Sequence, residues 1–194
     1  MTSDASGPAA QGLLLFPGAG ASRDASALVA LDHALSDEIT VVRADFPYRR
    51  EGRKAPDRPA KAIACIREEA ALLAARAGMN PAAVALGGRS FGGRMCSMAV
   101  AEGLPAAALV LIAYPLHPPG RADRLRVEHF PDIAVPCLFV SGTRDPFGTP
   151  DEFAAHTGAI AGPVTHVWVE GGRHDLRGSD GEVATAVGDW LRDL

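Results

Sequence analysis

Short apolar runs alternate with longer stretches of helical periodicity from residue 12 onward. "GLLLF" (12–16) is a continuous apolar run that ends in "PGAG". A run of that length, closed by a turn signal, predicts a strand buried on both faces. Residues 23–35 carry Leu28, Leu31 and Leu35 at helical spacing. "EITVVRADF" (38–46) is rich in β-branched residues and predicts a second strand. The polar, proline-punctuated segment 47–59 predicts a loop. A helix is expected over 59–77, with Ile63, Ile66, Ala70 and Leu73 as its apolar stripe and Gly78 as its stop. Four further strands are predicted at "AAVALGG" (82–88), "AALVLIA" (107–113), "PCLFVSG" (136–142) and "VTHVWVE" (164–170). Helices are expected over 92–101, 150–158 and 180–194, and the proline-rich stretch 114–133 holds at most one short helix. Strands alternating with helices imply a parallel sheet covered on both faces by right-handed crossovers. Ligands of such sheets sit beyond the carboxyl ends of the strands, so function is expected in the loops that follow them.

Composition narrows this picture. The 194 residues fit one domain, expected over 12–194 behind a small, polar, disordered tail over 1–11. Net charge is −4, which gives no sign of a nucleic-acid partner. No run is apolar for long enough to span a bilayer, and the first residues lack the pattern of a signal peptide. The three cysteines, Cys65, Cys96 and Cys137, are scattered and form no zinc-ligand pattern. A reducing cytoplasmic location, no metal and no cofactor are therefore expected.

One stretch concentrates the chemistry. "GGRSFGGR" (87–94) places four glycines and a serine between a strand and a helix. Within it, Gly88-Arg89-Ser90-Phe91-Gly92 is a G-x-S-x-G in the strand–turn–helix setting of a nucleophile elbow. A strained turn exposes the serine hydroxyl, and only glycine fits two residues to either side. The alternative, a phosphate-cradling turn, lacks both G-x-G-x-x-G and the P-loop lysine. A serine attacks only if a base takes its proton. Asp145 in "SGTRDPFG" (141–148) follows the fifth strand, and His174 in "EGGRHDLRG" (170–178) follows the sixth. Serine, acid and histidine thus stand in the chain order that such an elbow requires. Other candidates fail on position: His166 lies within a strand, His33 and His156 lie in helical segments, and His117 and His129 precede the acid. Asp175 suits a surface loop. The oxyanion N–H groups are expected from Phe91 and from Ala19, with Gly20 second, in the loop "FPGAGAS" (16–22). Arg89 is expected to brace the elbow while pointing away from the site, and Arg94 to face solvent or an acid. Arg49, Arg50, Arg53 and Lys54 read as a solvated basic face.

Together these residues resemble the α/β-hydrolase superfamily across nearly the whole chain. "GGRSFGGRMCSM" (87–98), "YPLHPPGRADRLRVEHF" (114–130) and "LFVSGTRDPFG" (138–148) are most similar to a small hydrolase-like subgroup. That subgroup includes a testis-expressed protein and a chromatin-complex (NSL) subunit, and is more distantly related to dienelactone hydrolases. The resemblance implies a three-layer sandwich around a mostly parallel six-stranded sheet. Its strand order would be 2-1-3-4-5-6, with no large cap domain. It also carries over Ser90, Asp145 and His174 as nucleophile, acid and base. Two departures stand out: Pro17-Gly18 replaces the usual histidine-glycine of the oxyanion loop, and serine replaces the cysteine that a dienelactone hydrolase has at position 90. The expected activity is hydrolysis of a small-molecule ester or thioester. The alternative is a non-catalytic binding or scaffold protein on the same fold.

Overall fold

The six apolar runs form six strands of one parallel sheet in the computed structural model, which describes residues 10–194. The strands are β1 (Gly12–Phe16), β2 (Thr40–Arg43), β3 (Val84–Arg89), β4 (Leu109–Ile112), β5 (Cys137–Gly142) and β6 (Val164–Val169). They lie in the expected order 2-1-3-4-5-6, and every pairing is parallel. The helices are α1 (Ser26–Leu35), α2 (Pro47–Arg50), α3 (Pro59–Ala77), α4 (Phe91–Ala101), α5 (Pro150–Thr157) and α6 (Asp180–Arg192).

Alternate residues of each central strand feed opposite faces of the sheet. Leu13 and Leu15 pack with Leu28 and Leu31 of α1 and Val183 and Val187 of α6. Leu14 and Phe16 pack with Ile63 and Ile66 of α3, Met95 of α4 and Phe153 of α5. The four central strands were legible as apolar runs because both faces are covered. Leu13 through Phe16 and Leu109 through Ile112 are all fully buried.

The segment 47–59 departs from the expected plain loop. Pro47 starts the short helix α2, where its missing N–H costs nothing and its fixed φ suits the first helical position. Buried Asp57 then accepts the Tyr48 N–H at 2.9 Å. Two of the four residues of its basic face are paired with acids. Arg50 pairs with Glu69 at 2.6 Å, and Arg53 pairs with Glu51 and Asp57, each at 2.7 Å. The expected tail over 1–11 lies outside the described residues as far as residue 9. Gln11 is tied at both ends of its peptide unit, donating to the Ala83 carbonyl and accepting from the Thr40 N–H.

Candidate active site

Ser90 links β3 to α4 with φ 51° and ψ −111°, a conformation that non-glycine residues rarely adopt. Two backbone bonds hold it there. The Ser90 N–H donates to the Ile112 carbonyl at 2.8 Å, and the Ser90 carbonyl accepts from the Arg94 N–H at 3.0 Å. The glycines two residues to either side are a steric requirement. A Cβ on Gly88 would stand 2.1 Å from the Phe16 carbonyl oxygen, and one on Gly92 would stand 2.2 Å from the same atom. Both glycines therefore admit the end of β1 against the turn.

Asp145 and His174 emerge from the adjacent strand ends of β5 and β6. His174 Nδ1 lies 2.8 Å from Asp145 Oδ2, and His174 Nε2 lies 2.9 Å from Ser90 Oγ. A carboxylate only accepts, so the Nδ1 position carries the hydrogen and Nε2 is left as the acceptor facing the serine hydroxyl. The Asp145 side chain is 1% exposed, and its other oxygen, Oδ1, accepts the Phe147 N–H at 2.8 Å. The Phe147 ring stacks on the His174 imidazole, with centroids 3.9 Å apart. The carboxylate is thus fixed by two contacts and the imidazole by three. The three predicted side chains are brought together in one hydrogen-bonded series. Asp175 is exposed, as expected for a surface-loop residue.

The loop after β1 faces this series. A Cβ on Gly18 would stand 3.7 Å from the Ser90 Cβ, so the loop lies directly against the elbow. The buried Tyr48 donates its hydroxyl to the Ala19 carbonyl at 2.8 Å and fixes the loop's orientation. The backbone N–H groups of Ala19, Gly20 and Phe91 donate to no backbone carbonyl among the described residues. The start of α4 directs its first N–H groups toward the same space. A cleft of about 670 Å³ opens between these parts, with Ser90, His174, Ala19, Phe91 and Phe147 in its walls.

Two arginine expectations need correction. Arg89 does brace the site, donating from Nη2 to the His174 carbonyl at 2.7 Å, but it lines the cleft instead of pointing away. Arg94 meets no acid and does not stand on a free helix surface. It is half-buried, lines the cleft and makes no ion pair among the described residues. The cause is the stretch 114–130, which folds over the first turns of α4 and carries Pro115 and Arg126 into the same wall. Ser97 of α4 lies 2.8 Å from His129 Nε2 and ties this stretch down. Phe147, Tyr48 and Arg126 were not foreseen. Only Phe147 had a local signal, its position two residues after Asp145.

His117, His129 and His166 have structural partners. Buried His117 bonds the Pro118 carbonyl and Glu152, and His166 bonds Thr157 while stacking on Trp168. Burial, then the nearby Arg94 guanidinium, pushes the His129 pKa down to about 4. The unfolded chain takes up this proton near pH 6.5, so His129 contributes stability that is complete above that pH. That stability is lost as pH falls toward 4. In urea titrations, His129→Gln is expected to show a smaller loss of stability than the parent between pH 6.5 and 4.5. The difference should be on the order of 1–2 kcal/mol once solvent screening is allowed for.

Among the described residues, no cluster of three or more His, Cys, Asp or Glu side chains could hold a metal. No helix is long and apolar enough to cross a membrane among those residues. The family profile described as "Alpha/beta hydrolase domain" matches residues 9–190. A protein assigned to the alpha/beta hydrolase superfamily, from Xanthomonas campestris pv. campestris, is 22% identical, with a TM-score of 0.69 over 95% of this chain and 99% of that one. Dienelactone hydrolase from Anabaena variabilis is 20% identical, with a TM-score of 0.73 over 95% of this chain and 87% of that one. Est1E from Butyrivibrio proteoclasticus, solved with ferulic acid bound, is 16% identical, with a TM-score of 0.75 over 96% and 90% of the two chains. At these identities the three likenesses speak for the fold.

Proposed function

The chain belongs to the alpha/beta hydrolase domain family, and from that premise we propose that it is a serine hydrolase cleaving a small acyl ester or thioester. The observation that carries the reading is the hydrogen-bonded series Ser90 Oγ, His174 Nε2, His174 Nδ1, Asp145 Oδ2 beside an open cleft. His174 Nε2 takes the Ser90 proton as Oγ bonds to the acyl carbon. The carbonyl electron pair moves onto oxygen, where the N–H groups of Phe91 and Ala19 receive it. The tetrahedral adduct collapses, expelling the alcohol or thiol, which leaves with the proton from His174. Water, deprotonated by the same nitrogen, then attacks the acyl-enzyme and restores the Ser90 hydroxyl. Asp145 holds the imidazole in the required tautomer and stabilises the imidazolium that forms. No cofactor enters this sequence.

Three free, buried cysteines support a reducing, cytoplasmic setting. The motifs at 87–98 and 114–130 support the closer kinship to the subgroup with testis-expressed and chromatin-complex members.

A fluorophosphonate probe tests the reading. Folded protein is expected to be labelled at Ser90, and Ser90→Ala to remain unlabelled. Cleavage of p-nitrophenyl esters of graded chain length should stop with the same substitution. Absence of labelling and of turnover in folded protein would favour a binding or scaffold role on this fold.

A further inference from the structure

The cleft beside Ser90 is lined by three arginines, Arg89, Arg94 and Arg126, and, among the described residues, by no aspartate or glutamate. This is unexpected in a chain of net charge −4. Arg43, Arg50, Arg53 and Arg192, outside the cleft, are each paired with an acid. Arg89 donates to the His174 carbonyl. Arg94 and Arg126 form neither an ion pair nor a side-chain hydrogen bond to a carboxylate among the described residues, and the Arg94 Nε is buried without a partner. Burial, then the charge of Arg94, holds the Arg126 pKa below its usual range, so the two guanidiniums feel one another. Like charges held together in a partly desolvated wall are unfavourable unless an anion bridges them. Their planar forks match the oxygens of carboxylate or phosphate. Arg94 stands one turn into α4 from Ser90, so the anion would lie close to the reacting carbonyl.

We propose that Arg94 and Arg126 form an anion subsite, and that the natural substrate is an ester or thioester bearing a carboxylate or phosphate group near the scissile bond. This inference rests on the serine-hydrolase reading and deepens it by naming the substrate class. Arg89 is a positioning residue in this scheme, engaged with the loop that carries His174.

Two matched pairs of esters test the proposal, with the anion on the acyl or on the alcohol side: mono-p-nitrophenyl succinate against p-nitrophenyl butyrate, and 4-acetoxybenzoate against its amide. In at least one pair the anionic ester is expected to have a kcat/KM at least about tenfold higher, chiefly through KM. That ratio should fall close to one in Arg94→Gln/Arg126→Gln. Arg94→Lys should keep part of it, which shows that the wall is still assembled. Ratios near one in the parent protein, or a preference that survives the double substitution, would overturn the proposal.

A second readout needs no turnover. In Ser90→Ala, succinate or inorganic phosphate is expected to raise Tm, and the rise should vanish when both arginines are replaced. Whichever anion protects identifies the source of the charge, and protection by neither counts against the subsite. Loss of fluorophosphonate labelling with anion protection intact would strike the hydrolase reading alone.

Discussion

Asp145→Asn is expected to lower kcat by about 10⁴-fold and to leave KM within a few-fold. The direction follows from the two contacts of the carboxylate. Oδ1 accepts the Phe147 N–H at 2.8 Å, and Oδ2 faces His174 Nδ1 at 2.8 Å. In asparagine only the oxygen can accept from Phe147, so the amide NH₂ must face the ring. His174 Nδ1 then becomes an acceptor and the ring hydrogen moves to Nε2, which points at Ser90 and can no longer take its proton. Geometry survives while the tautomer is wrong. Ser90→Ala should cost at least as much, and Ser90→Ala/His174→Ala no more than Ser90→Ala alone, because the groups act as a unit. Steady-state kinetics on the best ester of the chain-length panel checks all of these. An Asp145→Asn enzyme retaining a tenth of the parent kcat would remove Asp145 from the proposed mechanism.

The largest effect on stability is expected from Gly88→Ala. The new Cβ would sit 2.1 Å from the Phe16 carbonyl oxygen and 2.9 Å from the Phe16 amide nitrogen. Backbone cannot swing aside as a side chain can, so β1 and β3 must part at the sheet's centre. Gly88 also has φ +151°, where an alanine is strained even in open space. Strain and overpacking together predict a loss of about 3–5 kcal/mol. Gly92→Ala should behave similarly, since its Cβ would meet the same carbonyl at 2.2 Å. Gly181→Ala is the matched control. It lies in α6 with nothing near its Cβ direction, and should gain about 0.5 kcal/mol from helix propensity. Urea midpoints for the three variants decide the matter. A Gly88→Ala protein as stable as the control would show that the turn can relax.

Both of these predictions concern residues that stood out in the sequence. Ser90 and Asp145 were legible because each follows a strand made conspicuous by burial on both faces, and His174 because it follows the β-branched, aromatic run of edge strand β6. Strand order did not follow from periodicity and came from family resemblance. Arg94 and Arg126 were hidden for different reasons. Arg94 occupies a polar position on an amphipathic helix, and such a position ordinarily faces water. Only the path of 114–130 over α4 turns it into a wall of the cleft, and that stretch has no periodicity from which its path could be read. Helix α2 was missed because proline at its first position resembles a turn signal as much as a helix start. Tyr48 could not be linked to Ala19, since the contact joins residues 29 apart through tertiary packing alone.

The bond between Arg89 and the His174 carbonyl spans 85 residues of chain, and that between Ser90 and His174 spans 84. Such contacts close large loops and are among the slower ones to form during folding. As the chain leaves the ribosome, the serine turn can be complete before β6 exists, yet its hydroxyl then faces no base. The nascent protein would therefore be inert until the last strand docks. Recovery of ester cleavage during refolding should accordingly trail the recovery of helical signal, which makes turnover a clock for the final step of assembly.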